Sequence, residues 1–319
     1  MSSFLSAHLY AYDKSKNLLL KATLPILIII NHVLSRIPTN GWELIEHHGG
    51  HLAMFAFFGM SGYGLMYSYL HRENYLNGFL KRSFIKLFVP YFTALILFFI
   101  FKLTQGISPI EYICNTHWLS YVTYSWFVFC LACFYLFFYI VFKFVKTQDL
   151  LKVLIVCGLV FAYVLTLKLQ ATFPYIYIRC LAFCVGLLIA MFDRQIRTIL
   201  VRWQAWGIMV GLAILIYVLH FVYLIDSTSI WSILVTIIMF LFLYSIPSIP
   251  QTRIGNLFGS ISYEMYIIQG IAIDIVLQNM GVTSFYMAIP IILVIDVVLA
   301  YAVHKIDGII IGKISGRRE

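Results

Sequence analysis

The sequence predicts an all-α polytopic membrane protein of about ten transmembrane helices with both termini cytoplasmic. Hydrophobic residues make up 62% of the 319 and charged residues only 11%. Soluble domains carry about a quarter charged residues, so a soluble core of this size cannot hide so much apolar surface. Apolar windows of spanning length recur near 18–37, 52–70, 86–103, 121–142, 150–168, 173–192, 204–224, 229–247, 257–277 and 284–303. The links between them are short, so residues 1–319 read as a single integral membrane domain with no separate soluble domain.

Loop charge orients the bundle. Lys14, Lys16, Arg72, Lys143, Lys146, Lys152, Arg194, Arg197, Arg202, Arg253, Lys305, Lys313, Arg317 and Arg318 fall on one side, while the opposite loops carry Glu43, Glu46, Glu111 and Asp226. Basic loops mark the cytoplasmic face, which puts both ends inside and makes the helix count even. The net charge of +9 follows from this bias. With no basic soluble domain to do it, nucleic-acid binding is excluded. Residues 1–17 are polar, and no small-residue cleavage site follows the first apolar run, so no cleaved leader is expected.

The first helix carries the most informative pattern, Lys21 and His32 at the ends of an apolar run. Eleven residues turn a helix by about three turns plus roughly 20°, so both side chains share a face roughly 16 Å apart. Ionisable groups at membrane depth face a bundle interior or a wet cavity. Pro25, on the same face, frees a backbone carbonyl. In the second helix, Gly59, Ser61, Gly62 and Gly64 remove bulk and admit a neighbouring helix or a ligand. Lys81, Arg82 and Lys86 cluster on an amphipathic turn entering the third helix, where orientation charge, headgroup contact and phosphate binding all suit them.

Elsewhere, Arg179 sits between Ile178 and Cys180 inside the sixth helix, and Ser262, Tyr266 and Gln269 form one polar face of the ninth. Glu264, Asp274 and Asp296 are further intramembrane acids. The segment Glu46-His-His-Gly-Gly-His51 has nitrogen ligands but no second ligand cluster, and Cys130-x-x-Cys133 lies mid-helix, so no metal or redox centre is expected.

Taken in order, these pieces resemble the acyltransferase-3 family of integral membrane acyltransferases, common in bacteria. The family's first helix has Arg, ten residues, then His; here these are Lys21 and His32. Phe57 to Tyr63 resembles its Phe-Phe-x-x-Ser-Gly-aromatic stretch, and Phe79 to Pro90 its basic segment ending in Pro. Trp126-Phe127, Arg179 to Gly186, and Gly259 to Gln269 match later pieces. The resemblance covers nearly the whole chain. It departs at Lys21, which keeps the charge but not the planar fork of arginine, and at Gln269, which hydrogen-bonds but does not titrate where the family has histidine.

The resemblance implies transfer of an acyl group, acetyl first, from acyl-CoA to a hydroxyl of a cell-surface glycan or its precursor in the bacterial cytoplasmic membrane. It makes His32 the general base, with an acyl-histidine relay as the alternative. Lys21, Ser61, Tyr63, Trp126, Arg179, Tyr266 and Gln269 are the substrate-binding candidates, with Arg179, Ser61 and Tyr63 as oxyanion donors. Lys81, Arg82 and Lys86 are placed to meet CoA phosphates. Membrane lipids and the sugar acceptor are the expected partners. The rival classes are a transporter or flippase, for which no internal repeat is visible, and a non-catalytic protein that keeps the fold.

Overall fold

The computed structural model describes residues 9–170, 174–219 and 228–315. Asp226, Arg317 and Arg318, which entered the loop-charge argument, lie outside them. All regular elements among the described residues are helices: α1 (Lys14–Leu34), α2 (Glu43–His71), α3 (Phe79–Thr104), α4 (Pro109–Asn115), α5 (Trp126–Phe144), α6 (Asp149–Leu169), α7 (Pro174–Tyr177), α8 (Leu181–Met191), α9 (Asp193–Ile199), α10 (Arg202–Tyr217), α11 (Thr228–Ser245), α12 (Arg253–Ser260), α13 (Ser262–Asp274) and α14 (Phe285–Ile314). Five of them, α1, α3, α5, α6 and α14, are long and apolar enough to cross a membrane. A sixth span is made if α12 and the stretch Ser262–Asn279 count as one, across their 71° bend. Two shorter apolar helices, Leu181–Met191 and Ile230–Ser245, add to these.

Local chemistry explains where α1 starts and why it stays whole. The Asp13 carboxylate accepts from the amides of Ser15 (2.9 Å) and Lys16 (3.1 Å), filling donors that a helix start leaves open. Pro25 sits inside the helix, and its missing N–H leaves the Lys21 carbonyl, four residues back, without an intrahelical donor. The helix nonetheless runs unbroken to Leu34.

The chain forms two compact units. The first comprises Met1–Leu20, His51–Asn77 and Phe137–Thr252. Its closest approach is between α2 and α8. A Cβ on Gly62 would lie 2.1 Å from the Phe183 carbonyl oxygen, and one on Gly186 would lie 2.0 Å from that of Gly59. Gly59 and Gly62 of the second helix thus serve close packing against α8, while Gly64 meets nothing within 4 Å. Buried Asp193 ties this unit together: it accepts from the hydroxyls of Tyr63 (3.0 Å) and Tyr244 (2.7 Å), and from Arg197 Nε (3.0 Å) and Nη2 (2.7 Å).

The second unit comprises Lys21–Gly50, Gly78–Leu136 and Arg253–Glu319. Here α14 packs on α13 and α3. Its buried face, Phe285, Ala288, Ile292, Asp296, Ala300, Val303 and Asp307, follows helical periodicity and carries two acids. Thr93 donates to Asp307 at 2.6 Å, and the Tyr263 hydroxyl donates to the Leu87 carbonyl at 2.7 Å. Asn31 donates to the carbonyls of Ile45 (2.8 Å) and Glu46 (2.7 Å). The glycine pair of the histidine-rich segment makes room for it, since a Cβ on Gly50 would lie 2.4 Å from Asn31 Oδ1.

Candidate functional site

His32 sits in the second unit, one turn before Arg36 and half-buried. Its ring lies flat on that of Tyr124, with centroids 3.7 Å apart and planes 8° from parallel. A face-to-face contact fixes the imidazole plane and leaves the ring nitrogens, which lie in that plane, outside the stack. Tyr124 takes a left-handed backbone conformation, φ 70°. An aromatic residue adopts this only at a cost of order 1–3 kcal/mol, met by its surroundings.

Those surroundings can be named. The Tyr266 hydroxyl donates to the Tyr124 carbonyl at 2.5 Å, and the ring of Tyr266 meets that of Phe127 edge-on at 5.6 Å. The preceding turn is held by the Tyr112 hydroxyl, which donates to the Tyr121 carbonyl at 2.9 Å. Burial, then the negative charge of Asp274, push the Tyr112 phenol up to about 12, which keeps the donor proton in place at neutral pH. Gly270 provides the space, since a Cβ there would come within 2.9 Å of Thr123 Cβ and 3.1 Å of the Phe98 ring.

Charge gathers around Tyr124. Arg36 Nη2 donates to its hydroxyl at 3.4 Å, and Arg36 Nη1 pairs with Asp274 at 2.6 Å. Asp274 also accepts from Lys102 (3.5 Å) and Gln278 (3.2 Å). Burial opposes the Arg36 charge, but the hydrogen bond and charge of Asp274, together with Tyr124, outweigh it and hold the guanidinium above its ordinary value. The cluster therefore presents an oriented imidazole beside a fixed cation, a pairing suited to taking a proton while stabilising developing negative charge.

A second polar cluster lies roughly 16 Å along α1 from His32, around Lys21. Lys21 is within electrostatic reach of Glu264 and Lys86. Glu264 is buried and accepts from His304 Nδ1 at 2.7 Å, while its Oε2 has no hydrogen-bond partner among the described residues.

The remaining candidates divide between the units. Trp126 is buried beside Phe127, and Gln269 donates to the Tyr266 carbonyl at 2.8 Å, its own buried Oε1 having no hydrogen-bond partner among the described residues. Lys81, Arg82 and Lys86 are exposed on the first two turns of α3. In the first unit, the Tyr63 hydroxyl is committed to Asp193, Ser61 is half-buried, and Arg179 Nε donates to His51 Nδ1 at 3.3 Å. His47 and His48 are exposed on the same helix, and no cluster of three metal-type ligands forms among the described residues.

Comparison with known families decides the class. The model described as an acyltransferase domain matches residues 18–305, from just before Lys21 to just after His304. The chain belongs to the acyltransferase-3 family. It matches no curated protein and no solved structure. The family and the apolar helices together make it a membrane acyltransferase. Within it, sequence reasoning named His32, Tyr266 and Gln269 but passed over Arg36, Lys102, Tyr124 and His304. Arg36 and Lys102, cations at the ends of apolar runs, were the available signal.

Proposed function

We propose that this acyltransferase moves an acyl group, acetyl in the first instance, from acyl-CoA to a hydroxyl of a cell-surface glycan or its precursor in the bacterial cytoplasmic membrane. The reading takes 1–319 as one catalytic domain, crossed about ten times by the chain, with both termini inside. Its main support is the His32–Tyr124 stack beside Arg36, within a chain that matches the family from residue 18 to 305.

A sugar hydroxyl is a weak nucleophile until a base takes its proton. In this reading His32 accepts that proton as the oxygen attacks the thioester carbonyl. The carbonyl oxygen becomes anionic, and Arg36, which donates to the hydroxyl of the ring stacked on His32, is the cation offered to it. The tetrahedral intermediate collapses with cleavage of the C–S bond, and the imidazolium returns its proton to the departing thiolate. Atoms and charge balance, and no resident cofactor is required. Tyr266 acts by holding Tyr124, Gln269 by its bond to the Tyr266 carbonyl, Trp126 by lining the space beside Phe127, and Lys21 with Lys81, Arg82 and Lys86 by attracting the phosphates of the donor. Ser61, Tyr63 and Arg179, in the first unit, are kept as substrate-binding residues with no step of their own, and the Tyr63 hydroxyl is already donated to Asp193.

The test is mass spectrometry of surface glycans from cells with the wild-type chain, with His32→Ala, and without the chain. An added acyl mass seen only with the wild type supports the reading, provided the variant reaches the membrane in equal amount. Identical glycans in all three strains refute it in favour of a transporter or a non-catalytic protein.

A further inference from the structure

A cavity of about 480 Å³ opens in the first unit, where the end of α2 and the link 72–77 meet the end of α5 and the start of α6. None of the residues assigned above lines it, and its lining has a definite chemistry. Tyr69, Tyr75 and Phe142 supply aromatic surface, Asn74 and Asn77 supply amides, and Arg72 and Lys143 supply positive charge. The volume falls within the range of small-molecule sites, roughly 300–1,000 Å³.

The charge is not cancelled locally. Asp149 is the one acid lining the cavity, and Lys152 pairs with it at 2.9 Å while the Tyr69 hydroxyl donates to it at 3.4 Å. Exposed Arg72 forms no ion pair among the described residues. Lys143 has a neutral partner, the Tyr139 hydroxyl, at 2.5 Å. The walls are built rather than loose. Tyr69 meets Phe142 edge-on at 4.6 Å, and Phe142 stacks on Phe138 at 4.2 Å. Asn74 holds a left-handed conformation, φ 52°, and its carbonyl accepts from the Asn77 amide at 2.9 Å, which closes the link into a turn.

We propose that this cavity is a nucleoside-phosphate site. Aromatic faces receive a base by stacking, asparagine amides match the paired donor and acceptor on an adenine edge, and Arg72 and Lys143 take the phosphates. An anionic lipid headgroup uses the two cations but leaves the aromatic wall and both amides without a role. Two nucleotides have this chemistry: the adenosine bisphosphate end of CoA and a free adenine nucleotide. The first rests on the acyl-CoA reading above; the site itself does not.

The experiment titrates the purified full chain in detergent with adenosine 3′,5′-bisphosphate and with ATP, then repeats the titrations on Arg72→Gln/Lys143→Gln. Each lost charge-assisted contact is expected to weaken binding by about tenfold or more. Arg72→Lys, which keeps the charge, is expected to retain most of it and controls for folding. Preference for the 3′,5′-bisphosphate assigns the site to CoA, and equal or better ATP binding assigns it to a free nucleotide; both support the proposal. Absence of saturable nucleotide binding, or binding that the double variant leaves unchanged, overturns it. So does a response confined to nanodiscs containing phosphatidylglycerol, which makes the site a lipid one. Glycan acylation is read separately, so failure of the enzymatic reading and failure of this site are distinguishable.

Discussion

His32 and Tyr124 lie ring on ring, 92 positions apart in the chain, with centroids at 3.7 Å. The imidazole comes from the end of a membrane-spanning helix and the phenol from a turn between helices. Neither position alone suggests the other as partner. The stack gives Tyr124 two separable roles, a flat surface for the imidazole and a hydroxyl for Arg36.

Substitution separates these roles. Tyr124→Phe keeps the face and loses only the 3.4 Å contact to Arg36, so acyl transfer is expected to fall by less than about tenfold, in line with one modest hydrogen bond. Tyr124→Ala frees the imidazole plane and is expected to lower kcat by about a hundredfold, because a small misplacement of a catalytic group costs that much. His32→Ala removes the base proposed above and is expected to lose roughly 10²–10⁴. Turnover of acetyl-CoA by membranes normalised for protein level measures all three. Equal losses for the Phe and Ala variants mean that the stack does not orient His32.

Gly270 permits the turn that carries Tyr124 to lie against α13. Gly270→Ala places a methyl 2.9 Å from Thr123 Cβ, an overpacking expected to cost about 1–3 kcal/mol. The strain falls on the turn, so activity is expected to drop more than thermal stability. Thr123→Gly in the Gly270→Ala background removes the opposing atoms and is expected to restore most of both. Failure of the pair to recover places the origin of the defect elsewhere, the Phe98 ring at 3.1 Å being next in line.

How much of this was legible follows from the reach of each pattern. Hydropathy and helical periodicity are local, so the all-helical membrane class could be read directly, whereas of about ten expected spans five helices, or six with the bent pair, are long and apolar enough among the described residues. The glycines of α2 announced close packing, and Phe183 against Gly62 with Gly186 against Gly59 supplies the partner. The rest depends on contacts between distant segments. Asp193 gathers Tyr63 from 130 residues away and Tyr244 from 51, and the sequence contains no signal for that meeting. Tyr124 was illegible for a different reason: a left-handed aromatic is disfavoured locally and exists only because Tyr266 and Tyr112 hold its turn. Asp274 was visible as an intramembrane acid, but its cations, Arg36 and Lys102, come from the ends of two other helices.

That ion-pair set makes a quantitative prediction. Asp274→Asn keeps the shape and removes the charge shared by Arg36 and Lys102. Because Arg36 is 29% exposed, water screens part of the loss, and a destabilisation of about 1–3 kcal/mol is expected. Arg36→Gln removes the same interaction from the other side. In a double-mutant cycle the two substitutions are expected to be non-additive by about 0.5–3 kcal/mol. Additivity within about 0.3 kcal/mol shows that the pair carries no coupling energy.

The start of the first helix responds to pH in a direction that can be worked out. Burial pushes the Asp13 carboxyl up, but its hydrogen bonds from Ser15, Ser248 and the Lys16 amide, with the Lys16 charge, outweigh this and lower it from 3.8 to about 2. A carboxylate whose pKa is lower in the folded state stabilises the fold fully above its unfolded pKa. That contribution fades as pH falls from about 4 and is gone below about 2. Asp13→Asn keeps an oxygen acceptor for the helix amides but does not titrate, so it loses the pH dependence while keeping most of the cap; Asp13→Ala loses about 1 kcal/mol at neutral pH. Thermal melts of the detergent-solubilised chain between pH 5 and pH 2 are expected to bring the wild type and Asp13→Ala together as the pH falls. Curves that stay parallel across that range show that the Asp13 charge does not contribute to holding α1 in place.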